Sequence, residues 1–259
     1  MRTVIDETAK IHPSAKIADN VEIGPWTIIG ANVEIGEGTK IESHVVIKGP
    51  TKIGRNNHIF QFVSMGEAPQ FKKYAGEPTY LQIGDDNVIR EFCTIHRGTA
   101  QGLGRTIIGN RNFIMAYVHI AHDCTVGNDI IFANNAALSG HVVVNDFANF
   151  GGFSAVHQYC NVGAYCFVAG ETSVGKDVPP YILVSGHPAT IYGLNLVGLK
   201  RNGFSDHVIS QLKRAYNIIY RQGFTTQQAL LHLEGLLPEA QEVQLFINAL
   251  SQSTRGIVR

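Results

Sequence analysis

The stretch IHPSAKIADNVEIGPWTIIGANVEIGEGTKIESHVVI, residues 11–47, carries an aliphatic residue at every sixth position: Ile11, Ile17, Ile23, Ile29, Ile35, Ile41 and Ile47. The phase runs on through Ile53, Ile59 and Met65 and resumes at Ile83, Ile89 and Ile95. It slips by one residue across Gln101 to Arg105, then continues from Ile108 to Val174. A period of six fits neither an amphipathic helix near 3.6 nor a strand at two. It is the period of a parallel β-helix, in which a short strand that cannot bury its apolar side chain alone stacks on the strand of the next coil. Three hexads close a triangular coil, and at the β spacing about nine or ten coils make a prism roughly 45 Å long. Glycine often follows the aliphatic residue, as at Gly24, Gly30 and Gly36, which predicts that glycine eases the corners.

Working outward, the fourth residue after each aliphatic one is small or β-branched, as at Val21, Val45, Ala136 and Ser154, and all four cysteines, Cys93, Cys124, Cys160 and Cys166, hold that slot. They read as core filling, because no CxxC spacing is present. Met65 to Ile83 is one coil in length, but Phe71 and Glu77 fall at its inward positions and Pro69, Gly76 and Pro78 interrupt it. This segment is predicted to project as a loop, and Gln101 to Arg105 as a second, shorter one. After Val184 the period ends, and Gly186, Pro188 and Gly193 predict an irregular connection. Three helices are expected beyond it: one capped by Ser205 and closed by Gly223, one opened by Thr226, and one around Val243, Phe246, Ile247 and Leu250. The expected organisation is an all-β main domain over residues 1–195 and a small C-terminal α-helical domain over 196–259.

Lys+Arg and Asp+Glu balance at 21 each, so no overall field recruits nucleic acid or an anionic membrane. Met1 to Lys10 lacks the apolar stretch of a signal peptide and no apolar run approaches bilayer-spanning length, so a cytoplasmic protein without a transmembrane segment is expected.

Among 11 histidines, His122 lies two residues after Ile120, His141 three after Leu138 and His157 one after Val156. Those aliphatic residues recur once per coil, so the three histidines share one wall of successive coils, with His119 beside them. A carboxylate next to His122, at Asp123, suits a general base, because it can fix the tautomer and stabilise the imidazolium. No serine or cysteine stands in a nucleophile motif, so direct transfer to a bound acceptor fits better than a covalent enzyme intermediate. Gly140 can present a backbone N–H to an oxyanion or simply serve a corner. Two other readings stay open. Three histidines can hold zinc with a free position for water, as in a β-helix hydratase, and a plain scaffold would use the repeat without any site. The Gln70, Lys72 and Lys73 loop favours a phosphate-bearing or large ligand over the hydratase.

The runs HIAHD (119–123), TIHRG (94–98), YAGEPT (74–79), AVHQ (155–158), DVPP (177–180) and STRG (253–256) together resemble the acyl-carrier-protein:UDP-N-acetylglucosamine O-acyltransferase family, and the likeness extends over essentially the whole chain. The resemblance implies a left-handed parallel β-helix. It also implies transfer of an (R)-3-hydroxyacyl group from acyl carrier protein to the 3-hydroxyl of UDP-N-acetylglucosamine, the first step of lipid A synthesis. His122 would be the base, Asp123 its orienting acid and Gly140 an oxyanion donor. Gln70, Lys73, His119, His141, His157 and Gln158 would line the sugar and acyl cleft, Asn195 and Arg201 would hold the nucleotide, and Gly170 would limit acyl length, with Phe167 nearby. No metal or cofactor is implied beyond the phosphopantetheine of the carrier protein. A homotrimer is implied, with each cleft between prisms, the 66–82 loop reaching toward a neighbour, and Lys200, Arg201 and Arg214 meeting the acidic carrier. The family often has an acid where Val197 stands, which matters less if that contact is made through the backbone, and an aspartate where Phe71 stands, so that Phe71 makes a UDP-sugar bearing a 3-amino group an alternative acceptor.

Overall fold

The computed structural model describes residues 3–259. Three sheets of eleven, nine and eight strands form the walls of a triangular prism, and the chain visits them in rotation as far as Val174. Most strands are two residues long, far too short to persist alone, so their stability comes from stacking. Neighbouring rungs pair in parallel register, for example Ile11 with Ile29 and Ile29 with Ile47. The inward residues are sealed: Ile47, Ile59, Met65, Ile89 and Ile120 are all at 0% exposure. Each such side chain contributes roughly 1.5–3 kcal/mol on burial. The four cysteines are buried and unpaired among them. Three donate their S–H groups to carbonyls of the following coil, Cys93 to Met115, Cys124 to Ser139 and Cys166 to Pro179.

The register bears out both loops and sets their lengths. Rungs elsewhere before the last coil lie 18 residues apart, as in the Asn110–Asn128 ladder, whereas Asn57 meets Asn87 across 30 and Thr94 meets His119 across 25. The first loop is therefore an insertion of twelve residues leaving the second sheet after Glu67 and returning to the third at Tyr80. The second adds seven between His96 and Arg105. Twelve is two hexads and leaves the phase untouched, while seven is a hexad plus one and looks like a slip of one.

Glycine is also not the usual corner residue. Among the described residues, twenty non-glycine residues take positive φ, typically the third after an inward residue, such as Asn32 (57°), Asp123 (60°) and His141 (64°). The glycine next to an inward residue answers a different need. A Cβ on Gly36 would sit 2.5 Å from the backbone carbon of Gly54 in the following coil, so these positions are glycine because coils touch there.

The expected irregular connection is instead an antiparallel hairpin, Ile182–Ser185 with Thr190–Leu194, that closes the end of the first sheet. Four helices follow: α1 (Leu196–Arg201), α2 (Asp206–Tyr220), α3 (Thr226–Glu234) and α4 (Val243–Gln252). The short α1 was not foreseen. Ser205 caps α2 by accepting from the Val208 N–H, but the helix ends at Tyr220, before Gly223. The helix α3 opens at Thr226 as expected, capped by Thr225, which forms a capping box with Gln228. The helices pack on the prism end. Buried Tyr181 donates its hydroxyl to the Glu242 carbonyl at 3.0 Å and meets Phe246 edge-on at 5.3 Å. Beyond α4, Ser253 donates to Asp177 Oδ2 at 2.6 Å, which ties the two motifs DVPP and STRG together. Among the described residues no helix is long and apolar enough to cross a membrane.

Candidate active site

The second sheet ends at the corner leading to the third, and that corner gathers the chemistry. His119 and Ile120 form its rung, and the chain then turns through His122 and Asp123. His122 Nδ1 lies 2.8 Å from Asp123 Oδ2. The carboxylate side chain is fully buried while the imidazole keeps 13% exposure. A carboxylate in such a place needs donors, and the seven-residue insertion supplies them. The Thr99 hydroxyl donates to Oδ2 at 2.7 Å, and the Thr99 N–H points at both oxygens at 3.0 and 3.1 Å. The Asp123 N–H donates in turn to Thr106 Oγ1 at 2.9 Å. Because an ionised carboxylate only accepts, His122 Nδ1 carries a proton, and in the neutral ring Nε2 is left as the lone-pair acceptor.

The surroundings hold that ring still. Gly140 lies directly against it, where a Cβ would come 2.6 Å from His122 Cε1, and the Gly140 N–H finds no acceptor among the described groups. His141 meets His122 edge-on at 5.1 Å and stacks on Tyr159 of the following coil at 4.4 Å. His119 bonds Thr94 through Nδ1 at 2.7 Å. Burial pushes the His119 pKa below its ordinary value, with the nearby His96 and His122 adding to the shift. Burial likewise lowers that of His141, against the opposing pull of Asp123. Both rings are thereby biased to the neutral form. From the twelve-residue loop, Phe71 comes within 5.5 Å of His122.

A model of UDP N-acetylglucosamine O-acyltransferase domain 2 matches residues 177–258, and bacterial transferase hexapeptide repeats match 2–37 and 105–140. The acyl-[acyl-carrier-protein]–UDP-N-acetylglucosamine O-acyltransferase of Thiobacillus denitrificans is 58% identical over 255 residues, 98% of this chain and 99% of its own. That of Pseudomonas entomophila is 54% identical over the same shares. This chain belongs to the UDP-N-acetylglucosamine O-acyltransferase family. Among solved structures, LpxA from Acinetobacter baumannii superimposes with a TM-score of 0.97 at 49% identity, covering 99% of this chain and 100% of that one. The acyltransferase shares with it the left-handed β-helix and the small helical end.

The remaining candidate residues of the acyltransferase do not all meet at His122. Gln70 and Lys73 are exposed on the loop, and His157 and Gln158 are exposed in the third coil of the histidine strip. His157 Nδ1 contacts the Gln158 carbonyl at 3.1 Å and Arg255 Nη2 at 3.4 Å. The shorter contact requires a proton on Nδ1, and we assign the tautomer by it. Asn195 and Arg201 stand on the first sheet's side, lining a largely apolar groove of about 760 Å³ with Phe147, Phe167 and Val197. Asn195 is buried as the N-cap of α1, accepting from the Gly198 N–H and donating to the Tyr165 carbonyl. Gly170 lies exposed past the first sheet's rung at Val168, where a Cβ would come 3.3 Å from the Gly152 carbonyl. Arg214 is already engaged by Glu239 at 3.1 Å and Gln211 at 2.8 Å, while Lys200 and Lys213 flank a separate groove of about 390 Å³.

Sequence reasoning missed Thr99, Thr106 and Gly102. A Cβ on Gly102 would fall 2.5 Å from the Asp123 carboxyl carbon, so the short loop seals the acid. The signal available was the position of that insertion, one rung before HIAHD in the same sheet. Ligand atoms of His122, Asp123 and His141 lie within 4.8 Å of one another, the nearest approach to the zinc alternative. His157 is not in that group, and the Asp123 oxygens already receive the Thr99 and His122 donors, an arrangement that suits a hydrogen-bonded dyad.

Proposed function

We propose that this acyltransferase moves an (R)-3-hydroxyacyl group from acyl carrier protein to the 3-hydroxyl of UDP-N-acetylglucosamine, the first step of lipid A synthesis, with His122 as general base. The 2.8 Å contact of His122 Nδ1 with a buried, threonine-anchored Asp123 carries this reading, because in the neutral ring it directs the lone pair to Nε2. Nε2 takes the proton of the sugar hydroxyl as its oxygen attacks the thioester carbonyl, and the imidazolium that forms is stabilised by Asp123. The carbonyl oxygen gathers negative charge, and the uncommitted Gly140 N–H can donate a hydrogen bond to it. Collapse expels the phosphopantetheine thiolate, which recovers the proton from His122. No metal or further cofactor enters the scheme.

A 3-amino acceptor is the second reading, favoured by Phe71, an apolar ring 5.5 Å from His122. Offering purified enzyme both acceptors, with carrier protein loaded with 3-hydroxyacyl chains of several lengths, and weighing the products tests both. An O-acylated UDP-N-acetylglucosamine is expected, and product only from the 3-amino sugar would replace the acceptor.

The working form proposed is a homotrimer. His122 and the Asn195–Arg201 groove lie on different walls of one prism, so a single copy does not close a cleft around one UDP-sugar. The corner between the first and second sheets carries Trp26, Phe62, Phe92, Tyr117 and Phe153, exposed by 44% at Phe92 to 65% at Phe153. Phe62, Phe92 and Tyr117 stack at 5.1 and 4.8 Å. An aromatic column of this size suits burial against further copies. Packing about it would turn one copy's first sheet toward the next copy's second, with the 66–82 loop reaching across. The carrier protein would dock by the Lys200–Lys213 groove beside Arg201. Four buried thiols suit a reducing compartment, and we assign the enzyme to the cytoplasm.

A further inference from the structure

The twelve-residue loop bearing Gln70, Phe71 and Lys73 is held at its root by two consecutive side chains of the TIHRG run that the mechanism does not use. His96, 7% exposed, contacts the Ala68 carbonyl through Nδ1 at 2.7 Å. The Arg97 N–H donates to the Glu67 carbonyl at 3.1 Å. The Arg97 guanidinium spans prism and loop: Nη1 donates to the Gly49 carbonyl, and Nη2 donates to the Tyr74 hydroxyl at 3.2 Å. That hydroxyl passes its own proton to the Glu77 carbonyl at 2.9 Å, and the Tyr74 N–H donates to the Phe71 carbonyl at 3.0 Å. Arg97 forms no ion pair among the described residues, and its Nε is buried without a partner. A cation half withdrawn from water and held only by neutral oxygens is expensive as mere surface decoration. Its planar fork, which reaches two acceptors in different directions, is what a lysine would not supply.

We propose that Arg97, with His96 holding the Ala68 carbonyl beside it, is a positioning residue that latches the Glu67–Tyr80 loop to the prism and so sets where Phe71 and its neighbours meet the acceptor sugar beside His122. The acceptor part rests on the function proposed above, whereas the latch itself does not. The loop offers its own reporter, because Lys72 and Lys73 are exposed and trypsin cuts after lysine only where the chain is free to open.

The test compares Arg97→Met, Arg97→Lys and Tyr74→Phe with wild type. For Arg97→Met we expect cleavage at Lys72 and Lys73 to be about tenfold faster and the acceptor KM about tenfold higher, with the donor KM and the pH profile of kcat unmoved. Arg97→Lys should fall between. Tyr74→Phe, which removes one hydroxyl from a surface loop and leaves the prism intact, should move both readouts the same way by less. The proposal is overturned if both readouts stay at wild-type values, or if faster cleavage leaves the acceptor KM unchanged. It is also overturned if both KM values rise together with a lowered unfolding midpoint. Should wild type show no acyl transfer at all, the functional reading fails, and the tryptic rates alone still decide whether Arg97 holds the loop.

Discussion

Thr99 shows how a residue without any motif of its own can govern the base. It places a hydroxyl at 2.7 Å and an N–H at 3.0 Å on a carboxylate that sees no water. Replacing it with valine should destabilise the protein by about 1.5–3 kcal/mol, the worth of a hydrogen bond to a charged group, read as a shifted denaturant midpoint, and should lower kcat as Asp123 loosens. Gly140→Ala should be as harmful to turnover, because its Cβ would occupy the space of the His122 ring. A chelator should leave the rate unchanged, since the Asp123 oxygens serve Thr99 and His122. Chelator-sensitive activity with stoichiometric zinc would revive the hydratase reading. His119 and His141 set a pH dependence of stability. Their folded pKa values lie below the unfolded value of 6.5, so the unfolded chain takes up protons first as pH falls. Stability should therefore be highest above 6.5 and decline on acidification through and below that value, and His119→Gln should flatten the decline. An unfolding midpoint that rises on acidification from neutral pH would contradict this.

At the scale of the coil, the hexad made the walls legible because an inward residue every six positions has no other structural use. The insertions were less legible for an arithmetic reason: twelve residues are invisible to a period of six, so only Pro69, Gly76, Pro78 and two misplaced side chains betrayed the loop. Thr99 and Gly102 lie in the other insertion, where no period exists to say what they face. The corner chemistry differs from the expectation that glycine eases the corners, because Asn, Asp, His and aromatic residues take the positive φ of the turns in this fold. The distinction is measurable. Gly36→Ala, whose methyl would strike the Gly54 backbone, should cost about 1–3 kcal/mol. Asn135→Gly, at a φ of 63°, should change stability by less than about 1 kcal/mol. Equal effects would undo the assignment of coil contact to one position and turn to the other.

Across the whole molecule, the candidate residues divide between two walls, and sequence position gave no warning of it. The histidines were placed on one strip by counting coils, and the rungs that carry them do align. Asn195 and Arg201 come after the repeat ends, so counting could not assign them a wall. The division links fold to assembly: replacing Phe62 and Tyr117 with serine should weaken self-association in sedimentation and reduce activity in proportion, although both sit at the corner between the first and second sheets and His122 at the corner leading to the third. The account stands most directly on His122 itself. Single-turnover acyl transfer from loaded carrier protein to UDP-N-acetylglucosamine, both saturating, should fall by roughly a thousandfold in His122→Ala while its unfolding midpoint stays at the wild-type value. A folded His122→Ala enzyme that transfers the acyl group at close to the wild-type rate would contradict it.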